Sequence, residues 1–209
     1  MIRFENIRIA LEDKILFQDF TLRVNQGEKV LLFGPSGTGK TTLLRLLLGF
    51  AVPDSGSVSI HDTEIKGTEA WNTRKLFAYI PQNPDIGEGP VQRVLDSVLS
   101  LKANSSDGTR EGELSDYLNR FQLNEDILEK DFSELSGGEK QRVALVIGLL
   151  MNRNVFLLDE VTSALDAELK KQVVDMFAAR KDWTVLVVSH DTVWKTRPEF
   201  TTVEIGGKG

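Results

Sequence analysis

The sequence predicts an α/β fold: a parallel sheet with helices, half-buried strands near the N-terminus and a helical subdomain inserted in the middle. Three observations predict it. Short apolar runs suited to buried strands alternate with helix-like segments at both ends of the chain. Two segments near the N-terminus, Ile2 to Ile9 and Phe20 to Val24, alternate apolar and polar like half-buried strands. The middle, Pro90 to Glu129, turns helical. A chain of 209 residues suffices for one core and a small second lobe. We therefore expect one domain over 1–209, with roughly 85–136 as the inserted lobe.

In order, "IRFENIRI" (Ile2 to Ile9) and "FTLRV" (Phe20 to Val24) alternate with a period of two. "KVLLF" (Lys29 to Phe33) is a nearly continuous apolar run stopped by Gly34, the signature of a buried strand. "KTTLLRLLLGF" reads as a buried helix with Gly49 near its end. "GSVSI" and "LFAYI" are further strands. "VQRVLDSVLSLKA" and "ELSDYLNRFQ" have helical spacing, separated by the polar "NSSDGTR". A helix from Gly138, the strand "NVFLLD", a helix from Asp166 to about Arg180 and the strand "WTVLVVS" complete the pattern.

Composition narrows the function. Hydrophobic residues make up 41% and charged residues 27%, an ordinary globular balance. No apolar run approaches the ~18 residues a bilayer requires. The N-terminus has no apolar stretch behind a basic start, so no signal peptide is expected. The absence of cysteine excludes disulfides, thiolate metal sites and a cysteine nucleophile, and suits a cytoplasmic location. A formal net charge of −6 without a dense basic cluster disfavours nucleic acid as a partner.

"GPSGTGKT", Gly34 to Thr41, satisfies G-x-x-x-x-G-K-[ST] at every fixed position, after a predicted strand and opening a predicted helix. This is the phosphate cradle of a P-loop NTPase. Its glycines admit phosphate to the backbone, and its N–H groups and the helix N-terminus offer partial positive charge. Gly34, Pro35, Ser36, Gly37, Thr38, Gly39, Lys40, Thr41 and Thr42 are the expected nucleotide contacts. Lys40 is expected on the outer phosphates and the Thr41 hydroxyl on Mg²⁺. "VFLLDE" ends an apolar strand in two carboxylates. Asp159 is expected to hold Mg²⁺ through water. Glu160, next on an extended chain, points elsewhere and is the candidate for polarising the attacking water. A polar strand end capping the next element is the plainer alternative.

A second possible anion site follows. Ser136, Gly137, Gly138 and Glu139 form a capping-box pattern, with Ser136 capping a helix while Glu139 reaches back. Capping does not account for two consecutive glycines, which weaken a helix.

"LSGGEKQR" (Leu135 to Arg142) resembles the signature motif of ATP-binding cassette (ABC) ATPases, and the order cradle, signature, "VFLLDE" is that family's. "AYIPQ" ends in Gln82 at the place of its Q-loop glutamine; "SALD" (Ser163 to Asp166) matches its D-loop; "VVSHD" puts His190 at its switch histidine. Taken singly, Gln82 also reads as a turn residue and His190 as a helix cap. His61 has no motif around it and is expected at the surface. The resemblance spans essentially the whole chain. It implies a P-loop NTPase (RecA-like) core with an N-terminal antiparallel β-subdomain and an inserted helical subdomain, hydrolysing ATP with Mg²⁺ in a head-to-tail homodimer formed on ATP binding. The cradle of one subunit and Ser136, Gly137 and Gly138 of the other would enclose each ATP. Gln82 would contact the metal and attacking water, Asp166 would act across the interface, and His190 would hold the γ-phosphate and orient Glu160. The expected partners are integral membrane transporter subunits, with this chain peripheral on the cytoplasmic face. "NPDIGEGPVQRVLDSV" and the helical lobe would form the docking surface. The alternative is an ABC ATPase powering a non-transport machine, by force transmission across a membrane or as a nucleic-acid or ribosome clamp.

Four positions depart from the family pattern. Leu11 falls where an aromatic residue usually stacks on adenine, and Phe17 is a substitute at the wrong spacing. Glu139 replaces the commoner Gln, Ile147 lies near a usual Arg, and Val161 follows Glu160 where Pro is usual.

Overall fold

The structure is a computed structural model that describes residues 1–11, 14–101, 104 and 111–206. The segment 105–110 of the expected polar loop lies outside the described residues.

Two sheets build the molecule. β1 (Ile2–Leu11), β2 (Lys14–Val24), β4 (Ser55–Ile60) and β5 (Thr63–Glu64) form an antiparallel sheet in the order β2-β1-β4-β5. β3 (Lys29–Phe33), β6 (Phe77–Ile80), β7 (Val155–Asp159), β8 (Thr184–Ser189) and β9 (Phe200–Glu204) form a second sheet. Its order is β6-β7-β8-β3-β9 and every pair in it is parallel.

The parallel sheet partitions the core. Every residue of β7 and β8 is buried, as expected of strands covered on both faces. Successive side chains leave opposite faces. Val30, Leu32, Leu157, Leu186 and Val188 therefore pack with α1 (Lys40–Leu47) and the antiparallel sheet. Leu31, Phe156, Leu158, Val185 and Val187 pack with α5 (Gly137–Leu150) and α6 (Ala167–Ala179) on the other side. In α1, Leu43, Leu44, Leu46 and Leu47 are buried, each contributing about 1.5–3 kcal/mol.

The helical segment comprises α3 (Val91–Leu99), α4 (Glu111–Arg120) and two 3₁₀ turns, Glu125–Leu128 and Phe132–Glu134. Its two ends are joined by backbone hydrogen bonds, Val91 N to Lys130 O at 3.0 Å and Phe132 N to Gly89 O at 2.8 Å. Val94, Leu95, Leu118, Phe121 and Ile127 share one continuous apolar cluster with α5.

Three differences from the sequence-based expectations have local causes. β2 begins at Lys14 rather than Phe20, because it pairs with β1 along its length through several register shifts. α2 (Glu69–Arg74) is only six residues long, too short to display a helical period. β9 is an edge strand with mixed exposure, so its sequence lacks the apolar run of its neighbours. His61 is exposed as expected. It and Asp62 both have positive φ (47° and 64°) in the two-residue turn between β4 and β5.

Candidate active site

The carboxyl ends of β3, β7 and β8 lie side by side or one strand apart, where ligands of parallel α/β sheets bind. The loop after β3 leads into α1, whose N-cap, Gly39, has φ +92°. A side chain there would be strained, and its Cβ would come within 2.7 Å of the Phe17 ring. Ser36, Gly37, Gly39, Lys40, Thr41, Thr42, Gln82, Glu160, Leu11 and Leu16 line a cavity of about 240 Å³. Gly34, Pro35 and Thr38 belong to the same loop but do not line that cavity. Lys40 Nζ donates to the carbonyls of Gly34 (2.7 Å) and Pro35 (2.8 Å), and the Thr38 hydroxyl donates to Pro35 O (2.9 Å).

Two carboxylates meet this loop. Thr41 Oγ1 donates to Asp159 Oδ1 at 2.9 Å and the Tyr79 hydroxyl to Oδ2 at 3.4 Å. Burial pushes the Asp159 carboxyl above its ordinary range, and these two hydrogen bonds partly oppose it. Burial and the neighbouring Asp159 push the Tyr79 phenol up to about 12, so it remains a donor at neutral pH. Burial also lowers the Lys40 ammonium, while Glu160 and Asp159 pull it back up.

Glu160 does not continue the extended chain that the sequence predicts for it. Its φ is +50°, a left-handed conformation that costs a non-glycine residue about 1–2 kcal/mol. Its N–H donates to Val188 O (2.9 Å), so the turn is tied to β8. That turn aims the carboxylate at β8's end. Ser189 Oγ donates to Oε2 at 3.2 Å, His190 N–H to Oε2 at 3.4 Å, and His190 Nδ1 lies 2.9 Å from Oε1. Lys40 Nζ is 4.0 Å from Oε1, with both side chains buried. His190 caps no helix. Asp191 does so, accepting from Val193 N at 3.1 Å. Asp191 also binds Lys170 (2.7 Å) and the Thr162 hydroxyl (3.3 Å), and the buried Trp194 indole donates to Thr162. This network locks the segment carrying His190 onto the turn after Glu160.

The signature residues are elsewhere. Ser136 caps α5 in a full capping box. Its Oγ accepts from Glu139 N (3.3 Å), while Glu139 Oε2 accepts from Ser136 N (2.9 Å). None of Ser136, Gly137, Gly138 and Glu139 lines the cradle cavity. A Cβ at Gly138 would meet Ala164 O at 3.0 Å, but one at Gly137 would meet none of the described residues within 4 Å. Asp166 is the N-cap of α6, accepting from Leu169 N at 2.9 Å.

Sequence reasoning missed Tyr79, Ser189, Leu16 and Lys14, whose Nζ donates to Gly37 O at 3.1 Å. Tyr79 lies inside "AYIPQ", but only its pairing opposite Leu157, two residues before Asp159, reveals its role. Phe17 does not substitute for an aromatic at Leu11. It is buried against Phe20, with ring centroids 5.0 Å apart, while Leu11 is 66% exposed at the cavity. Ile147 and Val161 are buried in the core, where apolar residues suit them.

A P-loop followed by a strand ending in paired carboxylates defines a nucleotide-hydrolysing protein of the P-loop class. The ABC transporter family model matches residues 17–163, and the chain belongs to that family. It is an ATP-binding, ATP-hydrolysing component of the ABC transporter type. It is 31% identical over 194 residues to the probable iron export ATP-binding protein FetA of Escherichia coli, covering 91% of this chain and 85% of that one. It is 30% identical to the energy-coupling factor transporter ATP-binding protein EcfA1 of Ligilactobacillus salivarius, covering 100% of this chain and 76% of that one. It also matches ComA of Streptococcus pneumoniae at 31% identity, spanning 27% of that longer protein. Among solved structures, an ATP-binding subunit of an ABC transporter superposes with a TM-score of 0.82 at 25% identity, covering 100% of this chain and 89% of that one. The dimeric cassette MJ0796 shares the fold, with a TM-score of 0.81 at 23% identity, over 99% of this chain and 97% of that one. No helix among the described residues is long and apolar enough to cross a membrane.

Proposed function

We propose that this chain works as one of two identical cassettes that bind ATP head to tail beneath integral membrane subunits on the cytoplasmic face. The observation that carries this reading is the pair of separated half-sites. The cradle cavity lacks the signature residues, and no described residue beyond its own turn of helix comes within 4 Å of a Cβ placed at Gly137. A glycine there suits a phosphate arriving from outside the chain. The dimeric form reported for MJ0796 and the cbiONQ complex named for its relative cbiO1 support the two kinds of partner. Residues 1–209 are read as one cassette with 85–136 as its helical lobe.

The residues present suit Mg²⁺. Thr41 and Asp159 offer hard oxygen donors that already meet at 2.9 Å. No cluster of three or more His, Cys, Asp or Glu side chains stands ready among the described residues, which fits an ion that prefers water and substrate phosphate to a protein cage. When bound, Mg²⁺ neutralises charge developing on the phosphates. Lys40 would exchange its carbonyl partners for phosphate oxygens. Glu160, held by Ser189 and His190, would accept a proton from the attacking water as its oxygen bonds to the γ-phosphorus. The bond to the β-phosphate oxygen breaks, and ADP leaves with the electron pair. His190 would orient Glu160 and hold the γ-phosphate with Gln82 near the water; Asp166 would act across the dimer interface.

Purification in mild detergent from the native membrane tests the membrane partner. An integral membrane protein is expected in stoichiometric amount. Salt-sensitive retention of DNA or ribosomes in its place would sink this reading.

At the nucleobase, Leu11 and Leu16 offer aliphatic contact without a stacking ring. Aromatic stacking is worth about 1–3 kcal/mol per base, so Leu11→Tyr is expected to tighten nucleotide binding between fivefold and a hundredfold or so. Stacking tolerates any base, so ATP and GTP should gain alike. Fluorescence titrations in which neither affinity changes would remove Leu11 from the base site.

A further inference from the structure

α5 starts at the signature and runs behind β6, and it is fastened at both of the places it passes. Gly148 lies so close to β6 that a Cβ would come within 2.8 Å of Ile80 Cδ1. One residue beyond Ile80, the Pro81 carbonyl accepts from Gln141 Nε2 at 3.3 Å. Pro81 leads directly to Gln82, which lines the cradle cavity. The next residue of α5, Arg142, holds the end of α4, donating from Nη1 to Phe121 O (3.1 Å) and Gln122 O (3.0 Å). Its Nε donates to Gly138 O at 3.3 Å. Consecutive side chains thus bind the arm of the chain's own cradle and the helical segment to the helix that carries Ser136.

Gln141 is 0% exposed, and its Oε1 has no hydrogen-bond partner among the described residues. A buried acceptor left unpaired lowers stability, and an apolar residue of the same length would pack there without that cost. What the amide contributes here is therefore its Nε2 bond, not its Oε1. The side-chain bond it makes among the described residues goes to the residue before Gln82.

We propose that Gln141 is a positioning residue that couples the Gln82 arm of one nucleotide site to the presentation of Ser136, Gly137 and Gly138 to the partner's nucleotide. This rests on the head-to-tail reading. A nucleotide that draws Gln82 inward pulls on Pro81, and Gln141 passes that displacement to α5. Because α5 is one continuous helix with a buried body, the displacement reaches its first turn instead of dissipating.

Gln141→Met keeps the length of the side chain and removes the hydrogen bond. It is placed in the Glu160→Gln background, where hydrolysis does not drain the dimer. The ATP concentration for half-dimerisation is read by light scattering, ATP affinity by a fluorescent analogue in a Gly137→Asp background, expected to stay monomeric because the new carboxylate would face the partner's triphosphate, and stability by thermal melting. Half-dimerisation is expected to need about tenfold more ATP, with ATP affinity in the monomer within about twofold and no loss of melting temperature. An unchanged half-dimerisation concentration overturns the proposal. So does a lowered melting temperature that accompanies the loss of dimer, because Gln141 is then only a packing residue. If the Met variant is not recovered folded, Gln141→Leu replaces it, removing the same donor without adding a charge or a new acceptor. The same three measurements then support or overturn the coupling by the same outcomes. If the Glu160→Gln parent stays monomeric in ATP, the head-to-tail reading itself fails and the coupling with it.

Discussion

Glu160→Gln is expected to slow ATP hydrolysis by on the order of 10²–10⁴-fold, the usual contribution of a general base, while leaving ATP binding intact. The amide fits the same space. Its oxygen still accepts from Ser189 Oγ or from the His190 N–H, the groups that hold the carboxylate now at 3.2 and 3.4 Å. What is lost is the ability to take a proton. Lys40, 4.0 Å away, keeps its hydrogen bonds to Gly34 and Pro35, so the cradle is preserved. Trapped before hydrolysis, the protein should collect as a dimer in ATP. Phosphate release and light-scattering mass check the two halves separately. Hydrolysis within a few-fold of the parent would remove Glu160 from the base role, and a monomeric mass in saturating ATP would remove the sandwich.

Gly137→Asp is expected to leave the fold unharmed and abolish function. Among the described residues the new Cβ meets nothing within 4 Å. An acidic residue in the first turn of α5 complements the helix dipole by about 0.3–1 kcal/mol, and replacing glycine there removes backbone freedom from the unfolded chain. The melting temperature should hold or rise. The same carboxylate would face the partner's triphosphate at close range. Loss of dimer and a fall in ATPase of about a hundredfold or more are expected, the scale of one lost or inverted phosphate contact in a dry site. ATP binding to the monomer should not change, since Gly137 does not line the cradle cavity. A variant that melts lower, or one that hydrolyses ATP normally, would mean that Gly137 serves its own chain.

The Gly34 to Thr42 loop, the carboxylate pair after "VFLL" and the capping box at Ser136 are local patterns, each made by residues within a few positions of one another. Their backbone demands are met wherever they occur, so they could be read before any fold was known. The buried strands were legible for the same reason: Lys29–Phe33, Val155–Asp159 and Thr184–Ser189 carry their own burial in continuous apolar runs. β9 and α2 were not, because an edge strand and a one-and-a-half-turn helix owe their form to neighbours. Glu160's aim was not legible either. Alternation along a strand is the right rule for Asp159, but the chain leaves the strand at Asp159 and turns left-handed.

The chain's chemistry was therefore set by sequence: a phosphate loop, a carboxylate pair and a capped glycine pair, with ATP hydrolysis as the reaction they suit. The tertiary structure decided how those parts face one another. Parallel pairing put Tyr79 on β6 opposite Leu157 and let its hydroxyl reach Asp159, 80 residues away in sequence. The order β7-β8-β3 brought Ser189 and His190 to Glu160. Long-range hydrogen bonds of this kind depend on which strand lies beside which. That choice is made by the whole core packing against both faces of one sheet, and no short segment contains it.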